Sequence, residues 1–192
     1  MITGASGATT IETVDGGAAA AHLTFDVDGD VRGVPMHYEF IGFNNTGTAN
    51  AVYEFSEPMQ DTKAPMEHTK NHNATITTAM DVSDFFYSGG QIVPQAGTIK
   101  RIVGWAHTGG TSAVHKIALV KLTPAENDNT DVSPVLIDEV SWTSLGADKL
   151  KAINETTITA ASVAAGDILM TMIKDDTGGR TIYFNLTVEI EF

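Results

Sequence analysis

The last twelve residues of the chain, TIYFNLTVEIEF at positions 181–192, decide the fold class. Apolar and polar residues alternate strictly along this stretch, and the apolar side chains occupy the even-numbered positions. A period of two places one set of side chains on a buried face and the other set in water, which is the pattern of a half-buried β-strand. We therefore predict that residues 181–192 form a strand.

Further strand candidates follow one another at short intervals along the chain. They are rich in Thr, Val, Ile and aromatic residues, which favour pleated and half-buried surfaces. The candidates are HLTFDV (22–27), VPMHYEFIGF (34–43), AVYEFS (51–56), ATITTAM (74–80), TIKRIVGWAH (98–107), AVHKIALVKL (113–122), VLIDEVSW (135–142), TTITAAS (156–162) and DILMTMI (167–173). Turn-forming segments separate them, and only residues 144–153 have a composition that suits a helical turn or two. Many short strands joined by turns predict an all-β sandwich or barrel.

The stretch SVAAGDILMTMI (162–173) shows how one of these strands begins. Gly166 suits the positive φ of a tight turn, and the carboxylate of Asp167 can bond nearby backbone N–H groups. The strand that follows is apolar on both faces, so we expect it to be covered on both sides, inside a sandwich or at a subunit contact. Gly97 has the corresponding place before the strand that contains Trp105, and alternation from Ile99 predicts that Trp105 packs in the core.

Composition limits the classes of protein to which the chain can belong. Its 192 residues suit one domain, or one domain with an extended arm, and 42% of them are hydrophobic. The net charge of −13 argues against a nucleic-acid partner, because phosphate backbones require clustered Lys and Arg. The absence of cysteine excludes disulfides and thiolate metal sites. Neither a signal-peptide pattern nor a membrane-spanning run is present, so we expect a soluble protein with no membrane partner.

Four segments together resemble a known family. VPQAGTIKRIVGWAH, HKIALVKL, SVAAGDILMTMI and the closing TIYFNLTVEIEF are similar to the jelly-roll pattern of structural proteins in tailed-bacteriophage virions. These include head-decoration, minor capsid and fibre proteins, whose fold is similar to that of the TNF/C1q-like trimers. The resemblance implies an all-β jelly-roll sandwich at 85–192, preceded by an extended N-terminal arm at 1–21 and a β-rich region at 22–84.

An acidic segment, DVDGD, provides a candidate metal site. Asp26, Asp28 and Asp30 place three carboxylates at alternate positions, and hard oxygen ligands of this kind can hold Ca²⁺. The pattern departs from an EF-hand loop, since Gly29 stands at the fourth position and His37 replaces the final glutamate. An acidic hairpin turn is the alternative interpretation, and otherwise we expect no cofactor. The acidic loop ENDNTD (126–131) allows the same two interpretations.

Three groups of residues are candidates for an interface. Phe85, Phe86 and Tyr87 cluster just before Ser-Gly-Gly and are expected to dock an arm on a neighbouring subunit. Trp142 ends a strand, where it suits an interface or a sugar site. The strand with two apolar faces presents Met170 and Met172 on one of them, so we expect these side chains to be covered by a second copy of the chain. A homo-oligomer follows, with a trimer preferred, unless loops or the arm cover that face within a monomer.

Catalytic motifs are lacking from the sequence. It has no cysteine nucleophile and no Gly-x-Ser-x-Gly turn, and the adjacent Asp138 and Glu139 should point to opposite faces of a strand. His107 and His115 flank the segment TGGTS, and we expect them to be exposed residues of a hairpin. An enzyme on a cupin-like barrel would require the histidines to converge.

The expected function is therefore that of a non-enzymatic structural protein of a phage virion, made in the host cytoplasm. It would act by self-association and by docking on the major capsid protein or other virion proteins. The alternative is a carbohydrate- or Ca²⁺-dependent binding module of the adhesin or receptor-binding type.

Overall fold

Eleven strands make up the regular structure of the part of the chain that the computed structural model describes. This part comprises residues 35–45, 53–55, 71–73, 75–79, 90–108, 114–124, 132–143, 149–176 and 181–192. In chain order the strands are β1 (Pro35–Asn45), β2 (Tyr53–Phe55), β3 (Asn71–Asn73), β4 (Gln91–Ile92), β5 (Gly97–Thr108), β6 (Val114–Leu122), β7 (Val135–Thr143), β8 (Leu150–Glu155), β9 (Ser162–Val163), β10 (Ile168–Asp175) and β11 (Thr181–Glu191). These ranges contain no helix, and so none long and apolar enough to cross a membrane. The prediction of an all-β protein is confirmed.

The strands form two antiparallel sheets. Sheet A has the order β1-β11-β5-β8, and β9 pairs with β5. Sheet B has the order β3-β2-β10-β6-β7, and β4 pairs with β10. Consecutive strands often belong to different sheets, since the chain crosses from sheet A to sheet B between β5 and β6 and returns between β10 and β11. This arrangement is consistent with a β-sandwich.

The main hydrophobic core draws on strands of both sheets. Buried apolar side chains fill it, and each one contributes about 1.5–3 kcal/mol relative to exposure. Its largest members include Ile99, Ile102, Ile117, Leu119, Ile137, Leu169, Ile173, Ile182 and Phe184. The sandwich is therefore stabilised by residues contributed from distant parts of the sequence.

The closing strand β11 lies in the interior of sheet A, between β1 and β5. Five of its six predicted core residues are buried, and Phe192 is partly buried against the same core. The five are Ile182, Phe184, Leu186, Val188 and Ile190. The predicted strand and its buried face are both confirmed.

A bulge in β5 reverses the faces that simple alternation predicts. Glu189 of β11 lies opposite Arg101, whereas the next residue, Ile190, lies opposite Ile99. The extra residue in β5 moves every later side chain to the other face. Trp105 is consequently 43% exposed, so the prediction that it packs in the core is wrong.

Two predicted strands form turns where the structure describes them. In 75–79, the described part of 74–80, the backbone N–H of Thr78 bonds the carbonyl of Thr75 at 3.3 Å, a local contact that competes with sheet pairing. In 156–162, only the final residue joins a strand, because β9 is limited to Ser162–Val163. The segment 144–153 was the one candidate for a helical turn, but its described residues from 150 onward belong to the strand β8. The predicted strand 22–27 lies outside the described residues.

The sandwich begins earlier in the chain than the predicted boundary at residue 85. β1 pairs with β11 along its full length, and β2 pairs with β10. Gly33–Phe192 form one compact unit. The region 22–84 therefore contributes strands to the same sheets as the region 85–192, because the first and last strands of the sandwich are neighbours. The predicted arm at 1–21 lies outside the described residues.

Candidate functional site

The Gly-Asp step before β10 builds a turn that joins the two sheets. Gly166 has a φ of 89°, which side-chain-bearing residues rarely adopt. The buried carboxylate of Asp167 accepts hydrogen bonds from the Thr123 hydroxyl at 2.6 Å and from the Ala164 backbone N–H at 2.8 Å. Lys121 Nζ lies 3.5 Å from the same carboxylate. These contacts compensate the cost of burying the acid, so its role is structural.

A buried acid–base pair lies at the opposite end of β6 and β10. His115 and Asp175 are directly opposite one another in the register, and Nδ1 of the histidine is 3.8 Å from Oδ2 of the aspartate. The ring of Trp142 lies opposite His115 on β7, with 5.6 Å between the ring centroids. All three side chains are buried, so they present no surface to a large ligand.

This burial corrects two predictions. Trp142 belongs to the core, so in the single chain its ring offers no surface for a subunit interface or a sugar. His107 and His115 do not flank a hairpin, because β5 and β6 lie in different sheets. His115 is buried and not exposed, and the two histidines do not converge.

The second apolar face of sheet B is covered within the chain. Met170 and Met172 are fully buried there, in a second hydrophobic cluster with Tyr53 of β2 and Ile76 of the turn at 75–79. The β6 members of the cluster are Ala118, Val120 and Leu122. Both apolar faces of β10 are therefore covered by other residues of the same chain. The two methionines consequently expose no side-chain surface through which a second copy could contact them.

Polar contacts close one end of the same face. The Tyr53 hydroxyl donates a hydrogen bond to Glu139, whose carboxylate also lies 3.0 Å from Lys116 Nζ. Lys174 Nζ stands 4.9 Å from the centroid of the Tyr53 ring. Burial, and then the bond to Glu139, raise the pKa of Tyr53 above its usual value. On the other face Asp138 accepts bonds from the Glu139 backbone N–H and from Thr159, so the two acids diverge as predicted.

The outer face of sheet A, by contrast, exposes large apolar and aromatic side chains. Trp105 and His107 occupy alternate positions of β5 and share this face. The register places Tyr183 of β11 and Leu150 of β8 opposite His107, one on each side. Trp105, Leu150 and Tyr183 are among the exposed large hydrophobic residues. We call Trp105, His107, Leu150 and Tyr183 the aromatic patch.

Neighbouring contacts hold the patch in place. The His107 and Tyr183 rings stack with centroids 6.1 Å apart and planes inclined by 27°. Nδ1 of His107 lies 3.2 Å from the Lys149 carbonyl oxygen, within hydrogen-bonding distance. Since the ring of His107 is fixed on two sides, the patch presents a preformed surface.

Amides and a guanidinium group flank the patch. Asn185 lies opposite Trp105 on β11, and Asn154 lies opposite Val103 on β8. Arg101 Nε donates a 2.9 Å hydrogen bond to Asn154 Oδ1. This side of the sheet therefore combines aromatic rings with amide donors and acceptors and one guanidinium group, which is the chemistry of a recognition surface.

Several predicted site residues lie outside the described residues. They are Asp26, Asp28 and Asp30 of the Ca²⁺ prediction, Phe85, Phe86 and Tyr87 of the interface prediction, and the loop 126–131. Within the described ranges, no three His, Asp or Glu residues lie together in a way that suits a metal ion.

The aromatic patch was not predicted from the sequence. The polar-face positions of 181–192 include Tyr183, so its exposure follows from the alternation that predicts the strand. The exposure of Trp105 depends on the bulge, for which the sequence offers no clear signal. His107 and Leu150 join the patch only through pairing across β5 and β8.

Comparison with protein-family models gave no match, and comparison with curated proteins gave none either. The geometry of the sheets and their faces is thus the basis for assigning a function.

Proposed function

We propose that this protein is a non-enzymatic structural component of a tailed-bacteriophage particle, folded as a jelly roll and acting by docking on the particle and by self-association. The observation that carries the proposal is the strand order of the two sheets. Virion proteins and lectins are among the groups that use the jelly-roll fold.

The order of the eight principal strands supports a jelly roll. In chain order these are β1, β2, β5, β6, β7, β8, β10 and β11. The first, eighth, third and sixth of them make one sheet, and the second, seventh, fourth and fifth make the other. This is the order that results when a long antiparallel hairpin wraps into two Greek keys, because its paired halves then alternate between sheets.

The partners of two carboxylates, one buried and one half-buried, support a structural role. Asp167 is bonded within the turn before β10, and Glu139 is bonded to Tyr53 and paired with Lys116. Both carboxylates have partners that position the strands. The contacts of Asp167 and Glu139 are therefore those expected of polar groups that stabilise the fold.

Self-association remains a prediction. The face of β10 that was expected to contact a second copy is not available for it. Met170 and Met172 are covered within the chain. A second exposed apolar site lies where β1 approaches β4, since the Tyr38 hydroxyl donates to the Ile92 carbonyl. Met36 and Ile92 are exposed there, and together they would suit a contact with another copy.

A carbohydrate-binding module is the second candidate function. The exposed rings of Trp105 and Tyr183 favour it, because aromatic rings on an open sheet face suit planar ligands. Its Ca²⁺-dependent form relied on Asp26, Asp28 and Asp30, and remains a prediction outside the described residues. The two candidates are compatible, since a virion protein can also bind a glycan.

Mass spectrometry of purified particles tests the leading proposal. An antibody against the recombinant protein would first identify a lysate that produces it, and the particles would then be purified by density gradient. We expect the protein to copurify with the major capsid protein at a fixed ratio through successive gradients. Its presence in the lysate and absence from the particles would contradict the proposal.

A further inference from the structure

We propose that the aromatic patch on sheet A is a binding site for a neutral saccharide. The inference goes beyond the virion assignment and does not depend on it, because it rests only on the side chains of this face. The ring of Trp105 would stack on the apolar face of a sugar ring, and the amides beside it would bond the hydroxyl groups.

The exposure of the patch supports a ligand over simple packing. Trp105 is 43% exposed and Tyr183 is 39% exposed, although both belong to strands whose alternate residues are deeply buried. Large aromatic side chains lose favourable burial when they are left in water, at about 25 cal/mol per Å² of apolar surface. Two exposed rings at diagonal positions of neighbouring strands therefore form an apolar surface that a ligand can cover.

The polar groups around the patch match the chemistry of a sugar. A sugar ring has an apolar face of C–H groups and a rim of hydroxyl groups that both donate and accept hydrogen bonds. Asn185 lies directly beside Trp105 in the register, and Asn154 lies opposite the residue two positions before it. Carboxamides donate and accept as hydroxyl groups do, so they are suited to the rim.

The distribution of charge favours a neutral ligand. The chain carries a net charge of −13, which repels polyanions such as nucleic acid or acidic polysaccharide. Two acids of β11 on this face lie beyond the patch and have basic neighbours, since Glu191 pairs with Lys100 at 2.9 Å and Glu189 lies 3.9 Å from His37. Among the described strands, the residues directly beside Trp105 are Asn185 and Ala152, so the register offers a cationic peptide no carboxylate there.

The size of the patch argues against a second protein chain as its occupant. Stable protein interfaces involve about 20–30 residues on each side and about 800 Å² per partner. Four side chains, three in a row across β11, β5 and β8 with Trp105 beside the middle one, cover much less than that. A short oligosaccharide matches this footprint better than a subunit does.

The presence of two tryptophans, Trp105 and Trp142, allows a direct fluorescence test. In a Trp142→Phe variant, Trp105 is the sole reporter, and it belongs to the patch. Cellohexaose, laminarihexaose, maltohexaose and a mannohexaose serve as neutral probes, and a polygalacturonate fragment serves as the acidic probe. We expect at least one neutral probe to shift the Trp105 emission to shorter wavelength and to protect it from acrylamide quenching.

Calorimetry on the full-length protein provides the matched comparison. We expect Trp105→Ala to weaken binding of the same neutral probe about ten-fold or more, and Tyr183→Ala to weaken it as well. Val135→Ala is the control, because Val135 is exposed to a similar degree but lies on sheet B. It should bind as the unmodified protein does. If Trp105→Ala fails to fold, Trp105→Phe and Tyr183→Ala carry the comparison.

Three results would overturn the inference. The first is that no neutral probe binds at about 10 mM, a concentration that detects even weak sites. The second is binding that Trp105→Ala and Tyr183→Ala leave unchanged. The third is light scattering in which Trp105→Ala dissociates an oligomer, because the patch would then contact a second copy. Incorporation of these variants into particles is measured separately, so loss of saccharide binding leaves the virion assignment intact.

Discussion

The Thr123 hydroxyl donates a 2.6 Å hydrogen bond to the buried carboxylate of Asp167. The bond connects the segment that follows β6 to the turn that precedes β10, so it fixes the relative positions of two neighbouring strands of sheet B. The Ala164 backbone N–H bonds the other oxygen of the same carboxylate at 2.8 Å. The carboxylate of Asp167 thereby stabilises the turn before β10 and connects it to the segment that follows β6.

Replacing Asp167 with Ala should destabilise the protein markedly. The change removes two bonds to a charged group and its ion pair with Lys121, and we expect a loss of about 2–3 kcal/mol in the free energy of unfolding. Urea denaturation followed by circular dichroism measures it. Asp176→Ala is the control, because Asp176 is exposed, and it should stay within about 0.5 kcal/mol of the original. Equal stability of the two variants would contradict the role of Asp167.

Gly104 should tolerate no side chain. A Cβ atom at this position would stand 2.0 Å from the Asn185 carbonyl oxygen, which belongs to the backbone of the adjacent strand β11. Gly104→Ala must therefore separate β5 from β11 at the centre of sheet A, and we expect a loss above about 3 kcal/mol or insoluble protein.

Gly166→Ala provides the comparison for this clash. Gly166 and Gly104 both have a positive φ, but nothing lies within 4 Å of a Cβ atom added to Gly166. Its cost should be limited to backbone strain of about 1–2 kcal/mol. Both values come from thermal or urea unfolding, and a Gly166→Ala variant less stable than Gly104→Ala would refute the close approach of β5 and β11.

Tyr53 should make the protein sensitive to alkaline pH. Burial and the hydrogen bond to Glu139 raise the pKa of its phenol in the folded state above the unfolded value of 10.0. The stabilisation is therefore complete below about pH 10 and is lost as the pH rises toward the folded pKa, at up to about 1.4 kcal/mol per pH unit. The free energy of unfolding, measured in urea at about pH 8 and pH 11, should fall less in Tyr53→Phe than in the original protein.

Tyr183→Phe is the matched control for that experiment. It removes an exposed phenol from the outer face of sheet A and should retain the alkaline loss of the original protein. Tyr38, whose pKa burial also raises, is present in both variants and contributes equally to them. An alkaline loss that Tyr53→Phe does not reduce would contradict the assigned environment of Tyr53.

Sequence alternation predicts single strands well and their partners poorly. The closing strand was predictable because five buried residues of β11 recur with a period of two. The turn at Gly166 and Asp167 was predictable because Gly and Asp favour tight turns, although its bond to the distant Thr123 was not. The neighbours of β11 come from 35–45 and 97–108, and no local pattern indicates that pairing.

The candidate site was harder to predict than the fold. Trp105 changed from an expected core residue to an exposed one because of one extra residue in β5, which alternation cannot detect. Met170 and Met172 were expected to be covered by a second copy, whereas Tyr53 of β2 and Ile76 of the turn at 75–79 cover them within the chain. Trp142 was expected at an interface or a sugar site, and it is instead buried in the main core.

The second face of sheet B is covered within one chain, whereas the outer face of sheet A exposes Trp105 and Tyr183. Hydroxyl-radical footprinting with residue-level mass spectrometry tests this difference most directly, because Trp and Met residues occur at both exposed and buried positions. We expect rapid modification of Trp105 and Met36 and strong protection of Trp142, Met170 and Met172, unchanged when the protein is diluted. Rapid modification of Met170 and Met172 on dilution, with Trp105 protected throughout, would contradict the account.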